Sequence, residues 1–342
     1  MLGWMPAGLA IVSLAACAFF TAFTGASGVT IIALGALLFP ALQQAGYPEK
    51  FNLGLITSAG SLGLLFAPSL PLILYGIVAE IAVEDLFLAG ILPGFLMLLM
   101  LSGYSVWKNR ALRAPLSDFS WKEAGAAIRE AAWEIPLPIV VLGGIYSGYF
   151  AISEAAAVTA LYVLIVDVVI LREIPLRKLP AVMRESMVLV GGILIILGMS
   201  LASTNYMIDA GVPQKLLEYV SMLVTSQFTF LLLLLVFLLV LGAILDIFSA
   251  IVLVVPLILP VALQFGVHPV HLGIIFLATM HLGYITPPVG LNLFIASYRF
   301  DRPIIELYLS TLPLFFSLRG SSMRIAFWPT RSLALLGCWC AG

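Results

Sequence analysis

The residues able to carry chemistry are few in this 342-residue chain, and they gather where apolar runs are interrupted. Asp246 and Ser249 follow the most hydrophobic run, 229–245. Further on, HLGYITPPVGLNLF (281–294) places Thr286, Pro287, Pro288, Val289, Gly290 and Asn292 in seven positions. Near the start, Thr24-Gly25-Ala26-Ser27-Gly28 separates two apolar blocks, and Ser58, Gly60 and Ser61 precede Pro68 and Pro71. Proline removes a backbone donor and biases its predecessor away from helix. In lipid, unpaired backbone is tolerated only where protein buries it or where it lines a cavity. Broken helices offer carbonyls, which suit a hard cation such as Na⁺, and helix N-termini, whose dipole suits an anionic group. An acid between apolar runs is costly and marks a functional position by default. The chemistry these residues indicate is therefore ion and anion binding, with no covalent step and no cofactor beyond the ion.

Each residue also has a plainer reading. Small residues at 24–28 can be a helix–helix contact. Asp246 can cap the helix that starts at Ser249, and Glu154, just after Ser153, can cap another. His281 reads equally as a packing histidine or a ligand, while His268 and His271 read as loop or interfacial residues. Gly25-Ala26-Ser27-Gly28 also matches the G-x-S-G pattern of rhomboid-type intramembrane serine proteases, with His281 as the partner base. That match is four residues long in a chain rich in small residues.

The elements that must position these groups are membrane helices. The chain is 62% hydrophobic and 10% charged, with mean hydropathy +1.15, against roughly 25% charged residues in soluble domains. A helical span takes about 20 apolar residues, and several such runs are present. The net charge of −1 and the lack of a basic stripe speak against a nucleic-acid partner. Three cysteines, Cys17, Cys338 and Cys340, make neither a disulfide framework nor a metal cluster. The run 4–20 lacks a basic n-region and reads as a span. The hydrophilic segment 108–134 holds five of the sixteen Lys and Arg residues. Residues 137–166 read as one broken span or a re-entrant hairpin, 187–201 as a span and 205–227 as a polar connection. Basic residues favour the cytoplasmic side of short loops. This places 108–134, 172–184 and 299–302 inside and the acidic loop 80–85 outside.

Self-comparison reveals a repeat. Pro40, Gly46, Leu62-Gly63 and Pro68 recur 220 positions later as Pro260, Gly266, Leu282-Gly283 and Pro288, and Leu53-Gly54 recurs as Leu272-Gly273 at 219. The first copy ends in Glu80, Glu84 and Asp85, the second in Arg299 and Arg302. Opposite flanking charge predicts an inverted-topology pair. Asp246 and Ser249 then occupy the place of 26–29, which argues against the protease reading. The resulting division is 1–107 as the remainder of the first repeat, 108–134 as a cytoplasmic linker, 135–312 as the second repeat and 313–342 as an atypical tail. Residues 136–245 precede Asp246 but only 25 precede Ala26, so about 85 residues of a first copy are expected to be missing from the N-terminus. Arg319, Arg324, Pro329 and Arg331 are expected to break up a terminal span.

The segments TAFTGASGVTIIALG, GLITSAGSLGLLFAPSLPLILYG, SGYFAISEAAAVTALY, ILDIFSAIVLVVPLILP and HLGIIFLATMHLGYITPPVGLNLFIASYRF resemble the large membrane subunit of TRAP transporters, the DctM-like family, over residues 4–312. The resemblance implies an all-α polytopic, inverted-repeat, elevator-type secondary transporter of the bacterial inner membrane. Such a transporter uses Na⁺ to import C4-dicarboxylates, sialic acid or other organic acids. It implies a small four-helix membrane subunit and a periplasmic substrate-binding protein as partners. It places Na⁺ near Ser27 and its glycines and near Thr286, Pro288, Val289 and Gly290, with Asp246 and Ser249 alongside. With part of the first repeat missing, the chain is expected not to transport by itself. A stand-alone dicarboxylate/Na⁺ symporter is the neighbouring alternative.

Overall fold

The computed structural model describes residues 7–110, 136–212 and 226–328, with scattered positions at 125–135 and 214–224. The described residues form helices joined by turns, with no strand. In order the helices are α1 Gly8–Thr24, α2 Ser27–Gln44, α3 Glu49–Ala59, a 3-10 turn Leu62–Leu65, α4 Leu70–Val78, α5 Val83–Asn109, α6 Pro136–Tyr146, α7 Ile152–Leu164, α8 Leu179–Asp209, α9 Gln227–Ile244, α10 Ile247–Gln264, α11 Pro269–Gly283, α12 Leu291–Phe300 and α13 Ile304–Phe327. Among the described residues, five helices are long and apolar enough to cross a membrane, or six if the bent pair α3–α4 counts as one span. Apolar side chains such as Leu232, Leu233, Val236 and Phe237 face outward along α9, as hydrocarbon-facing positions do. The chain is an all-α polytopic membrane protein.

Two compact units are present. Within the unit of residues 119–199, α6 packs against α7, which is the hairpin form of the 137–166 expectation. Glu154 accepts the Ala151 N–H at 3.0 Å, so it caps α7. A π turn, Ile165–Ile170, continues that helix. The span expected at 187–201 is longer than read: α8 starts at Leu179, inside the expected basic loop, and reaches Asp209. Lys and Arg are good helix formers, so basic residues did not mark its end.

The other unit, residues 2–118 with 200–342, holds the recurring helices of both copies, Gly8–Val78 and Gln227–Phe300. These units cut across the repeat boundaries, because compactness follows packing and not duplication. Helices α1, α2, α3 and α4 have the same order and breaks as α9, α10, α11 and α12. Both copies are broken at an X–Pro bond that is cis, 67–68 and 287–288. The broken spans run antiparallel. At one end the start of α3 meets the end of α12 through the Glu49–Arg302 ion pair. At the other end Tyr75 of α4 donates to the carbonyl of Pro269 at the start of α11, 2.9 Å. Packing is reciprocal as well: α2 lies on α12, and α4 lies on α10. A buried cluster of Ile31, Leu53, Leu293, Ala296 and Leu307 joins α2, α3, α12 and α13.

The disruption expected from residue 313 onward is absent as far as Phe327, because α13 continues through Pro313, Arg319 and Arg324. Leu307, Thr311, Leu314, Leu318, Ser321, Ser322 and Ile325 form a buried stripe at helical spacing. Arg324 points outward, and arginine favours helix. The linker core at 111–124 and the ending at 329–342, with Cys338 and Cys340, lie outside the described residues.

Candidate functional site: two helix breaks tied together

The first break begins where α1 stops. Gly25 adopts φ +65°, and its N–H returns to the Thr21 carbonyl. The chain restarts at Ser27, which is buried. This unwound turn lies against the second interruption of the same copy, since a Cβ on Gly25 would sit 2.7 Å from Leu70 Cβ. The closest approach is at Gly63, where a Cβ would meet Ala18 O at 2.1 Å and Ala22 N at 2.5 Å. The repeat mate Gly283 does the same in the second copy: its Cβ would lie 2.5 Å from Gly242 C and 2.9 Å from Ala243 N. The recurring Leu-Gly of the sequence therefore has a cause. In each copy the glycine lets the first helix press its backbone onto the break.

The second break is held by the end of α9. Val289 N–H and Gly290 N–H both donate to the Ala243 carbonyl, at 3.2 and 3.0 Å. Gly290, at φ +56°, precedes α12 in a left-handed conformation. Tyr284 is buried, and its hydroxyl accepts the Ile247 N–H at 2.6 Å. Asp246 caps α10: Oδ2 accepts from Phe248 N and Ser249 N at 3.0 Å each, and Oδ1 accepts from Ser249 Oγ at 2.6 Å. Thr286 Oγ1 donates to Leu282 O at 2.7 Å. The side chains of Asp246, Ser249 and Thr286 are thus engaged locally. Pro287, Pro288 and Val289 face outward, while Pro68 is half-buried.

Asn292 brings the two breaks together. It is 0% exposed, and its Nδ2 donates across 231 and 235 positions to Ser61 Oγ at 2.9 Å and to Thr57 O at 3.1 Å. Gly28 meets Ile295 of α12, a second contact between copies. Around this junction, the His281 imidazole meets the Ser61 main chain, while buried polar atoms without a hydrogen bond include Ser58 Oγ, Ser69 Oγ and Asn292 Oδ1. Such atoms are uncommon in native interiors, since each costs on the order of 1–3 kcal/mol. His281 is fully buried. Among the described residues Ser27 and His281 are not hydrogen-bonded to each other, so the nucleophile–base pair of a protease is not assembled. His271, read as an interfacial residue, is instead buried in α11 with Nε2 3.1 Å from Ala326 O. His268 caps the start of α11 through Val270 N–H. No group of three His, Cys, Asp or Glu side chains able to hold a metal occurs among the described residues.

Sequence reading missed Thr21 and Thr30. Their hydroxyls lie 2.7 Å apart, and Thr21 Oγ1 is also 2.8 Å from Gly60 O. The available signal was their position, since one hydroxyl stands on each side of the small-residue break in otherwise apolar helices.

Comparison with known proteins agrees with this architecture. The family model "Tripartite ATP-independent periplasmic transporter, DctM component" matches residues 1–330. The isethionate TRAP transporter permease protein DctMQ of Oleidesulfovibrio alaskensis is 35% identical over 92% of this chain and 50% of its own length. The C4-dicarboxylate TRAP transporter large permease protein DctM of Pseudomonas aeruginosa is 35% identical over 97% of this chain and 78% of its own. The sialic acid TRAP transporter large permease protein SiaM of Vibrio cholerae is 30% identical over 98% and 79%. The chain thus spans half of the first of these relatives and about four-fifths of the other two. These relatives are permeases and not enzymes, and with the family model covering residues 1–330, the chain belongs to the DctM family of TRAP transporter large permease proteins.

Proposed function

We propose that this chain acts as the large membrane subunit of a tripartite, Na⁺-coupled transporter that imports organic acids across a bacterial inner membrane. The observation that carries the reading is the antiparallel pair of broken spans, whose interruptions meet through Asn292 and Ser61. Discontinuous helices facing each other across an inverted repeat are how secondary transporters build ion and substrate sites near the membrane midplane. With the predicted side chains engaged locally, Na⁺ would be held by main-chain oxygens at 24–28 and 284–290, and the substrate carboxylate would face helix N-termini at α4 and α12. C4-dicarboxylates and related acids are the substrate class, in keeping with the names of the relatives. A small four-helix membrane subunit and a periplasmic binding protein complete the system, and the paired copies move as an elevator.

The test is uptake of a labelled C4-dicarboxylate into proteoliposomes carrying this chain with its small subunit and a loaded binding protein. Uptake should require an inward Na⁺ gradient and fall to background when K⁺ replaces Na⁺. Equal uptake without Na⁺ would refute the coupling. Uptake that ignores the binding protein would favour a stand-alone symporter.

A further inference from the structure

The two copies are joined by a path of hydrogen bonds, linked through Tyr284 and the short main-chain stretch 57–61, that touches all four interruptions. It starts beyond the second copy's first break, where Ile247 N–H donates to Tyr284 Oη. Tyr284 O accepts Asn292 N–H at 3.1 Å. Asn292 Nδ2 crosses to Thr57 O and Ser61 Oγ. Within that stretch Gly60 O faces Thr21 Oγ1 at 2.8 Å, and Thr21 faces Thr30 Oγ1 in the first turn of α2. When Thr30 donates to Thr21, the single Thr21 proton is shared between Gly60 O and Cys17 O at 2.7 Å. Thr21, Thr30, Tyr284 and Asn292 are all buried, so water cannot replace a lost partner. Nothing comparable occupies the mates of Thr21 and Thr30, which are Leu241 and Ala250. The relay is therefore one asymmetric path and not a duplicated one.

We infer that Thr21, Tyr284 and Asn292 are positioning residues that couple the breaks, so that Na⁺ held at one copy's interruption raises the affinity at the other. The inference rests on the Na⁺ reading above. Ordering one break fixes the carbonyls and donors that lead to the next, and the second ion then has less to order. Coupling of this kind is typically worth 5- to 150-fold in affinity.

The experiment follows the thermal unfolding midpoint of the purified chain in detergent as Na⁺ is titrated at constant ionic strength. Thr21→Val keeps the side-chain shape and removes the hydroxyl; Thr21→Ser keeps the hydroxyl, and Thr30→Val cuts the same link from the other side. The wild type should respond with a Hill slope above 1. In Thr21→Val and Thr30→Val the slope should fall to 1 and apparent Na⁺ affinity should weaken by about five-fold or more, with Thr21→Ser restoring both. A wild type blind to Na⁺ would sink the Na⁺ reading and the coupling together. A Na⁺-responsive wild type with slope 1, or a slope unchanged in both valine variants, would overturn the coupling and leave Na⁺ binding intact.

Discussion

Replacing Gly63 or Gly283 by alanine tests whether the breaks are held by backbone pressed on backbone. Ordinary van der Waals contact for a Cβ begins at 3.4 Å. The new methyl on Gly63 would stand 2.1 Å from Ala18 O, and that on Gly283 would stand 2.5 Å from Gly242 C. The shortfalls are about 1.3 and 0.9 Å, and the atoms met are main chain, so no rotamer change relieves them. Helix α1 or α9 must instead retreat from the break. Overpacking costs typically 1–3 kcal/mol, and rigid neighbours on both sides put these substitutions at about 3 kcal/mol, Gly63→Ala the larger. Gly103→Ala is the control: nothing lies within 4 Å of that Cβ, and inside α5, six residues before its end, alanine should gain up to about 1 kcal/mol of helix propensity. The assay is reversible unfolding in mixed detergent micelles by circular dichroism. If Gly63→Ala and Gly283→Ala unfold within about 0.5 kcal/mol of Gly103→Ala, the close approach does not support the breaks and the argument fails.

Three further outcomes are expected. Asp246→Ala removes the acceptor for two N–H groups and one hydroxyl at the start of α10, so unfolding free energy should fall by about 1–2 kcal/mol; full retention by Asp246→Ala would mean that the cap is idle. Tyr284→Phe leaves Ile247 N–H buried without its partner and should cost about 1–3 kcal/mol, read in the same unfolding assay, whereas a neutral result would remove Tyr284 from the relay. His281 is fully buried with the Ser61 main chain as its partner, so His281→Leu should cost no more than one neutral hydrogen bond, about 1 kcal/mol, in that assay; a loss of several kcal/mol would show that the imidazole holds further partners in the folded protein.

Much of this arrangement was legible in the residues. Pro68 and Pro288 marked the breaks because proline cannot extend a helix. The single offset linking Leu62-Gly63 to Leu282-Gly283 exposed the duplication, and the opposite charge after each copy anticipated antiparallel broken spans. What the sequence hid were pairings set by packing. Nothing local tells that Asn292 reaches Ser61 rather than a ligand, since the two stand 231 positions apart. The same local ambiguity surrounded Asp246 and Glu154, where a carboxylate in a first turn fits a cap or a site equally well; the caps were decided by geometry. Element ends were misjudged where charge was taken as a stop signal. Lys178 and Arg184 border or enter α8, and Arg319 and Arg324 sit inside α13, because arginine and lysine disfavour lipid without disfavouring helix.

The reciprocal packing of α2 on α12 and α4 on α10 has a mechanical consequence. Each copy clasps the other's outgoing helix, so a hinge drawn between the copies would open both interfaces in the same movement. Opening would also expose the shared cluster around Ile31 and Leu293. The elevator proposed above instead carries the clasped pair as a single slab, with both breaks travelling together. Duplication here produced one mechanical part, not two lobes, and a ligand seated at either break would ride with the other.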